Sequence, residues 1–346
     1  VHPVSLIDDG RELPGDANIT AKCHKFTYRF ANEANRQTFI ANPERYEIQL
    51  GGACGRMGAL SGEGRTDLFA VHEKRLYIFA SESCRNTFLK SADGLLYAPD
   101  PPLEASIESA ARGRELLQRT VTAHGGVAAW HGVRALRRVD RETVTQADQD
   151  WLHVETITIR FPDDYRVQSE WNDLQWARVF TAHDAWFERE RRTEIEPMHL
   201  QQRIEFEDAF HRELAVLLRA SLFAYVRFAS AGEMTIDLGP DGPVTLDLAR
   251  IQIDGATTTL GVDRDRGLVR LLEYRGRGPS LAFGTVRRVL YDFRTVGEVV
   301  LPFAEVRYFN GELVSDWSDR RPAIEVNPVI NPEEFRRPLG RANDVR

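Results

Sequence analysis

The sequence contains little cysteine and no long apolar run. Three cysteines in 346 residues exclude a disulfide-stapled scaffold, and Cys23, Cys54 and Cys84 lack the C-x-x-C pairs of a zinc ribbon. No segment approaches the roughly eighteen apolar residues of a membrane-spanning helix. The most apolar helical stretch, residues 214–226, is interrupted by Arg219. We therefore expect a chain that does not span a membrane.

The chain also lacks an excess of basic charge. With 45 lysines and arginines against 52 aspartates and glutamates, its formal net charge is −7. Such a chain has no overall attraction to phosphate backbones, so we expect no nucleic acid among its partners. A hydrophobic fraction of 42% and a charged fraction of 28% are ordinary for a folded globular protein.

Lysine is absent from most of the chain. All four lysines lie at or before Lys90, and arginine is the basic residue of the remainder. Prolines at 99, 101 and 102 stiffen the segment between Tyr97 and Arg112, after which a helical pattern begins. This seam predicts two domains, residues 1–104 and residues 105–346.

The first predicted domain contains an internal repeat with an offset of 49 residues. Residues 26–40 align with residues 75–89, and seven of the fifteen positions are identical. In each copy alternating aromatic residues predict a short strand. Asn32 and Ser81 then predict the N-caps of two helices. Each copy is therefore expected to be a strand followed by a helix.

Side chains that commonly bind metals fall at the ends of these predicted elements. Cys23 and His72 occupy equivalent positions before the two strands, and Cys84 lies in the first turn of the second helix. The helix dipole favours a thiolate at that position. Cys54 is a further possible donor in the second copy, and the first copy offers His24 beside Cys23.

Two segments of this domain resemble the YHS domain, a small metal-associated module related to the TRASH domain. They are Cys-Gly-Arg-Met at residues 54–57 and the stretch of residues 76–88, within a tandem resemblance that covers residues 20–95. The resemblance implies heavy-metal handling, with copper or zinc as the metal. Soft thiolate and imidazole donors suit Cu(I) or Zn(II) better than hard cations.

The YHS resemblance also implies a ligand set. Cys54 and Cys84 match two motif cysteines, whereas Ala80 stands where the motif has another. His72 or Cys23 would have to complete the site. The alternatives are a purely structural module and a Cys54–Cys84 disulfide in an oxidising compartment.

The second predicted domain opens with an amphipathic helix that Gly125-Gly126 ends at His124. A second apolar helical pattern runs from Phe206 to about Tyr225. Elsewhere the side-chain pattern repeats every two residues, which predicts antiparallel strands in residues 156–161, 244–253, 267–274, 286–293 and 304–309. Asp254-Gly255 and Asn310-Gly311 are suited to the tight turns of hairpins.

This order of elements, with the helix end Ala123-His-Gly-Gly, resembles the LolA/LolB-like envelope proteins that sort lipoproteins or carry lipids. Over residues 110–335 the resemblance implies an open antiparallel β-barrel around an apolar cavity. Such a cavity suits an acyl chain. In the alternative, no ligand binds because aromatic side chains fill the barrel, namely Phe161, Trp171, Trp176, Trp186 and Phe187.

Catalytic patterns are weak, and we predict no catalytic residue. His124-Gly-Gly is not accompanied by a G-x-S-x-G nucleophile elbow. The carboxylate pair Asp163-Asp164 follows a proline in a turn, and Glu194 shares one strand face with Glu196.

Together these patterns predict an α+β protein, a YHS-like strand–helix module followed by a LolA-like open barrel with accessory helices. We expect a non-catalytic binding protein of the cell envelope, periplasmic or secreted, because the chain begins at Val1 and an export signal would have been removed. Its expected partners are a metal ion and an acyl chain or lipoprotein. The alternatives are a lipid or lipoprotein carrier whose first domain is structural, and a thiol- or metal-dependent enzyme.

Overall fold

The computed structural model describes residues 2–146, 149–172, 174–189, 194–223, 226–238, 242–317 and 322–338. They form two compact units. The first unit holds the chain up to Ala98 together with Met198–Glu205 and Ser280–Phe283, and the second unit holds the remainder. The change in composition near residue 105 predicts a boundary there, but it gives no indication that these two later segments belong to the first unit.

The first unit is a hairpin-and-helix arrangement that occurs twice. After α1 (Pro3–Asp9), the first copy consists of β1 (Asp16–Cys23), β2 (Phe26–Phe30), α2 (Glu33–Ala41) and α3 (Pro43–Tyr46). The second copy consists of β3 (Arg65–His72), β4 (Arg75–Phe79) and α4 (Glu82–Leu95). The predicted strand and helix of each copy are confirmed, although the pattern did not predict β1 and β3. Asn32 and Ser81 cap their helices as expected, each accepting a backbone hydrogen bond.

Each copy buries three aromatic rings at equivalent positions. In the first copy, the ring of Phe39 lies 4.7 Å from that of Tyr28. In the second, the ring of Phe88 lies 5.0 Å from that of Tyr77. Aromatic residues bury the largest apolar areas in small cores, which explains why the repeat keeps them.

The described part of the second unit contains two seven-stranded antiparallel sheets. Helices α5 (Ile107–Ala123) and α6 (Val127–Gly132) precede them. The first sheet has the order β10-β9-β8-β7-β6-β5-β18, with bounds β5 (Ala135–Gln146), β6 (Gln149–Arg160), β7 (Asp164–Trp171), β8 (Leu174–Phe180), β9 (Ala185–Arg189), β10 (Glu194–Pro197) and β18 (Ala323–Val326).

The second sheet follows chain order. Its strands are β11 (Arg227–Asp237), β12 (Pro243–Ile253), β13 (Ala256–Asp263), β14 (Val269–Arg277), β15 (Phe283–Val296), β16 (Val299–Phe309) and β17 (Glu312–Trp317). Between β10 and β11 the chain forms α7 (Leu200–His211) and α8 (Leu214–Ala220). Among the described residues no helix is both long and apolar enough to cross a bilayer.

The α+β class and the antiparallel strands of the second domain are confirmed. Asp254-Gly255 and Asn310-Gly311 form hairpin turns with positive φ at every residue, from 45° to 93°. Within the described residues the two sheets do not pair into a closed barrel.

The expectation of one continuous helix from Phe206 to Tyr225 is wrong. Glu213 has extended backbone angles (φ −70°, ψ 133°), so the helical pattern is divided between α7 and α8. Tyr225 lies outside the described residues.

His124 closes α5 and joins it to the second sheet. It is the C-cap, and Gly125 follows with a φ of 117°. The buried ring donates from Nδ1 to the carbonyl oxygen of Val300 at 2.7 Å and accepts at Nε2 from the N–H of Val269 at 3.1 Å. Both ring nitrogens therefore make hydrogen bonds within the fold, and His124 is the C-cap of α5, as expected.

Burial lowers the pKa of His124 from 6.5 to about 4. Between these values the unfolded chain binds a proton that the folded protein does not bind, so the free energy of unfolding should fall as the pH is lowered from 6.5 to 4. The loss should approach roughly 3 kcal/mol. Urea unfolding of the wild type and of His124→Asn across this range measures the effect. If the free energy of unfolding of His124→Asn fell as steeply with pH as that of the wild type, the effect could not come from His124.

Candidate functional site

The structure brings Cys54 and Cys84 together. Cys54 is fully buried, and its Sγ accepts a hydrogen bond from the N–H of Ala80 at 3.4 Å. Cys84 packs against the same core, and both thiols are free. Burial opposes ionisation of Cys84, but hydrogen bonds with Ser81 and the Cys54 thiol and the charge of Arg56 lower its pKa.

The other two predicted ligands lie elsewhere in the first unit. The ring of His72 packs edge-on against the ring of Phe88 at 5.7 Å. Phe88 lies about one helical turn after Cys84 on α4. Its Nε2 lies 3.3 Å from the Asp93 carboxylate. The Cys23 thiol donates to the carboxylate of Glu47 at 3.3 Å. Cys54, Cys84, His72 and Cys23 therefore occupy three separate places.

Cys23 differs electrostatically from Cys84. Burial and the hydrogen bond to Glu47 raise the pKa of the Cys23 thiol to about 11. The thiolate is the metal-binding form, so Cys23 needs a cation beside it to lose its proton at neutral pH.

The second unit contains a small, largely apolar cavity with an open mouth. Strands of both sheets and the start of α8 form its walls. Most of the lining is aliphatic or aromatic. The apolar side chains are Leu136, Ile157, Ile159, Leu214, Ala215, Leu290, Leu301, Pro302, Phe303, Ala304, Trp317, Pro322 and Ile324.

Strand alternation determines which side chains reach the cavity. On β6, Ile157 and Ile159 face it, whereas Thr156 and Thr158 line a groove on the opposite face of the same sheet. This groove is polar and includes Arg166 among its charged side chains. Successive residues of a strand point to opposite faces, so the predicted alternation of residues 156–161 produces both surfaces.

One wall of the cavity carries buried ion pairs. Arg288 donates from Nε and Nη2 to Oε2 of Glu305 at 3.0 and 2.7 Å, and Arg307 donates to Oε1 at 3.0 Å. Nε of Arg138 lies 2.7 Å from the carboxylate of Asp140. Burial would raise the pKa of Glu305, but Arg288 and Arg307 lower it to about 2. Glu305 is therefore ionised at neutral pH.

The aromatic residues expected to fill a barrel are not among those lining the cavity. Trp186 and Phe187 are buried, whereas Trp171 stacks on His153 at 4.3 Å and Trp176 is 37% exposed. Sequence reasoning identified the strand that carries Ile157 and Ile159. It also identified the strand that carries Leu290, but it predicted no strand at Leu136 and gave no role to the charged residues of the wall.

Comparison of the sequence with protein families and with curated proteins gives no match. One similar solved structure is a DUF1329 family protein from Desulfovibrio piger, with a TM-score of 0.42 and 8% identity over 66% of this chain and 97% of that chain. A second is an outer membrane lipoprotein-sorting protein domain from Vibrio parahaemolyticus, with a TM-score of 0.39 and 7% identity over 65% of this chain and 97% of that chain. A third is a LolA superfamily protein from Nitrosomonas europaea, with a TM-score of 0.40 and 10% identity over 63% of this chain and 94% of that chain.

The YHS-like resemblance of residues 20–95 stays a prediction.

Neutralising Glu305 should destabilise the protein because Arg288 would lose its buried counterion. We expect Glu305→Gln to lower the free energy of unfolding by about 3–5 kcal/mol at pH 7. The pKa of Glu305 is 4.5 when unperturbed and about 2 in the folded protein, so this contribution is complete above pH 4.5 and disappears as the pH falls through 2.

Denaturant unfolding of both proteins from pH 7 down to pH 2 tests this dependence. Glu312→Gln is the matched control, because Glu312 is exposed on β17. A similar loss in the control, or a difference between wild type and Glu305→Gln that does not shrink in acid, would be inconsistent with the buried pair.

Proposed function

We propose that the second unit binds an acyl chain in its cavity and that the protein is a non-catalytic carrier of a lipid or lipoprotein in the cell envelope. The observation that carries the proposal is the apolar lining contributed by both sheets, with Ile157 and Ile159 from one and Leu290 and Leu301 from the other.

Apolar burial supplies the binding energy. Each methylene group removed from water contributes about 0.8 kcal/mol, so affinity should rise about fourfold per added methylene while the chain still finds room. Phe303 and Trp317 add aromatic surface to the aliphatic wall. An acyl chain, which is apolar along its whole length, matches this apolar lining.

The charges in the wall favour a ligand whose polar end is neutral. Two arginines, Arg138 and Arg288, line the cavity beside three carboxylates, those of Asp140, Glu213 and Glu305. The lining therefore has no excess positive charge to attract a free carboxylate or a phosphate. An acyl chain in an ester or amide linkage, as in a glyceride or an acylated protein, fits this balance better than a free fatty acid.

The expected metal site of Cys54 and Cys84 stays a separate proposal for the first unit. Two neighbouring free thiols, one with a lowered pKa, support it. His72 does not join them, since its side chain lies against Phe88 and Asp93.

A displacement assay tests the carrier proposal. Monoacylglycerols of increasing chain length compete with a fluorescent acylglycerol for the protein, and Leu301→Trp is compared with Leu174→Trp. Leu301 lines the cavity, whereas Leu174 is 64% exposed on β8. We expect Leu301→Trp to weaken binding about tenfold by occupying the space of roughly two methylene groups, and Leu174→Trp to bind like the wild type.

The assay also separates the headgroup classes. A free fatty acid should bind no more tightly than the monoacylglycerol of equal chain length. Affinity that is independent of chain length, or equal weakening by both tryptophan variants, would overturn the proposal.

A further inference from the structure

Three side chains in the first unit converge on the carboxylate of Glu47. Oε2 of Glu47 lies 3.3 Å from Sγ of Cys23 and 3.2 Å from Nε2 of His24, and Oε1 lies 2.8 Å from Nε2 of His199. The donor atoms of Cys23, His24 and Glu47 all lie within 4.8 Å of one another. The rings of His24 and His199 meet edge to face at 5.4 Å.

The hairpin of the first copy positions two of these donors. Cys23 ends β1 and pairs with Phe26 across the turn, and His24 is the first turn residue, with a φ of 51°. Glu47 follows α3 in an extended conformation. The Tyr28 hydroxyl accepts a hydrogen bond from the next N–H, that of Ile48, at 2.8 Å, which ties Glu47 to β2.

The fourth donor, His199, comes from the later segment Met198–Glu205. Gln201 accepts a hydrogen bond from the N–H of Leu50 at 2.6 Å, and Gln202 donates to the carbonyl of Ala59 at 3.0 Å. Gly51 allows this close approach. Its φ is 61°, and a Cβ there would lie 2.8 Å from Cβ of His199. The segment is therefore held by polar contacts that leave the imidazole of His199 facing Glu47.

The cluster is buried on one side and open on the other. The side chains of Glu47 and His199 are 6% and 9% exposed, whereas that of His24 is 60% exposed. Burial would raise the pKa of Glu47, but the hydrogen bonds of His199 and Cys23 lower it. The exposed side of the cluster, at His24, is the side from which an ion would enter.

We propose that Cys23, His24, Glu47 and His199 bind one Zn(II) ion. One thiolate, one carboxylate and two imidazoles are all common zinc ligands, and four protein donors complete a tetrahedral shell. The thiolate and the carboxylate together cancel the two charges of the ion. The donor atoms of Cys23 and His24 lie 3.3 and 3.2 Å from one oxygen of Glu47, and Nε2 of His199 lies 2.8 Å from the other oxygen, so small shifts would bring them to the zinc bond lengths of about 2.0–2.3 Å.

Other metals suit this set of donors less well. Calcium and magnesium require oxygen ligands, of which Glu47 alone supplies any. Cu(I) favours soft sulfur ligands, and here a hard carboxylate stands at the centre of the cluster. Among the possible donors recognised from sequence, this site includes Cys23 and His24. It does not depend on the acyl-chain proposal.

Cobalt(II) is a spectroscopic probe for such a site, and zinc should displace it. Full-length protein, stripped of metal by a chelator, is titrated with Co(II) and then with Zn(II). We expect one equivalent of Co(II) to give tetrahedral d–d bands and a thiolate-to-cobalt charge-transfer band, both removed by one equivalent of Zn(II). In a Cys84→Ser background, which removes the separate site proposed for Cys54 and Cys84, Cys23→Ser should abolish the charge-transfer band.

Three further variants complete the design. His199→Gln should weaken Zn(II) binding by at least about 100-fold, beyond the 10- to 100-fold cost of losing an outer partner of a metal site. Cys84→Ser and His72→Gln are matched controls that should keep stoichiometric binding. Circular dichroism confirms that each variant is folded.

The cobalt spectra of these variants show whether the metal binds at Cys23 or at Cys54 and Cys84. Absence of a thiolate band in the folded wild type would overturn the proposal. A band that survives Cys23→Ser but is lost in Cys84→Ser would also overturn it, and would assign the metal to Cys54 and Cys84 instead.

Discussion

The cavity of the second unit depends on the buried carboxylate of Glu305. A charge in an apolar wall is tolerated only when it is paired, and Arg288 and Arg307 together bind both of its oxygens. The strands that carry this cluster, β15 and β16, also supply Leu290 and Leu301 to the lining. The same two strands therefore provide the charges that must stay paired and the surface that we propose binds an acyl chain.

The first unit uses a single carboxylate in a different way. Glu47 is shared by a thiol and two imidazoles, and all of them can be metal ligands. Glu305 is saturated by guanidinium groups, which cannot give up their charge, whereas the partners of Glu47 can exchange protons for a cation. That chemical difference supports a structural role for the Glu305 cluster and the metal-binding role that we propose for the Glu47 cluster.

Much of the fold was predictable from sequence because its signals are local. The repeat, the caps Asn32 and Ser81 and the hairpin turns each depend on a few adjacent residues. The break at Glu213 was not predictable, since the apolar spacing continues across it. Sequence spacing placed Cys23 and Cys84 in one candidate site, yet they belong to different copies of the repeat. His199 lies 152 residues from Glu47, and no local pattern links the two.

Photocrosslinking tests the central claim most directly. A monoacylglycerol with a diazirine at the end of its chain is bound, activated, and located by mass spectrometry of the digested protein. The account predicts labelling on β15 and β16, around Leu290 and Leu301, which line the cavity and not the polar groove. Labelling centred on Trp176 in the groove, or on the first unit, would contradict it.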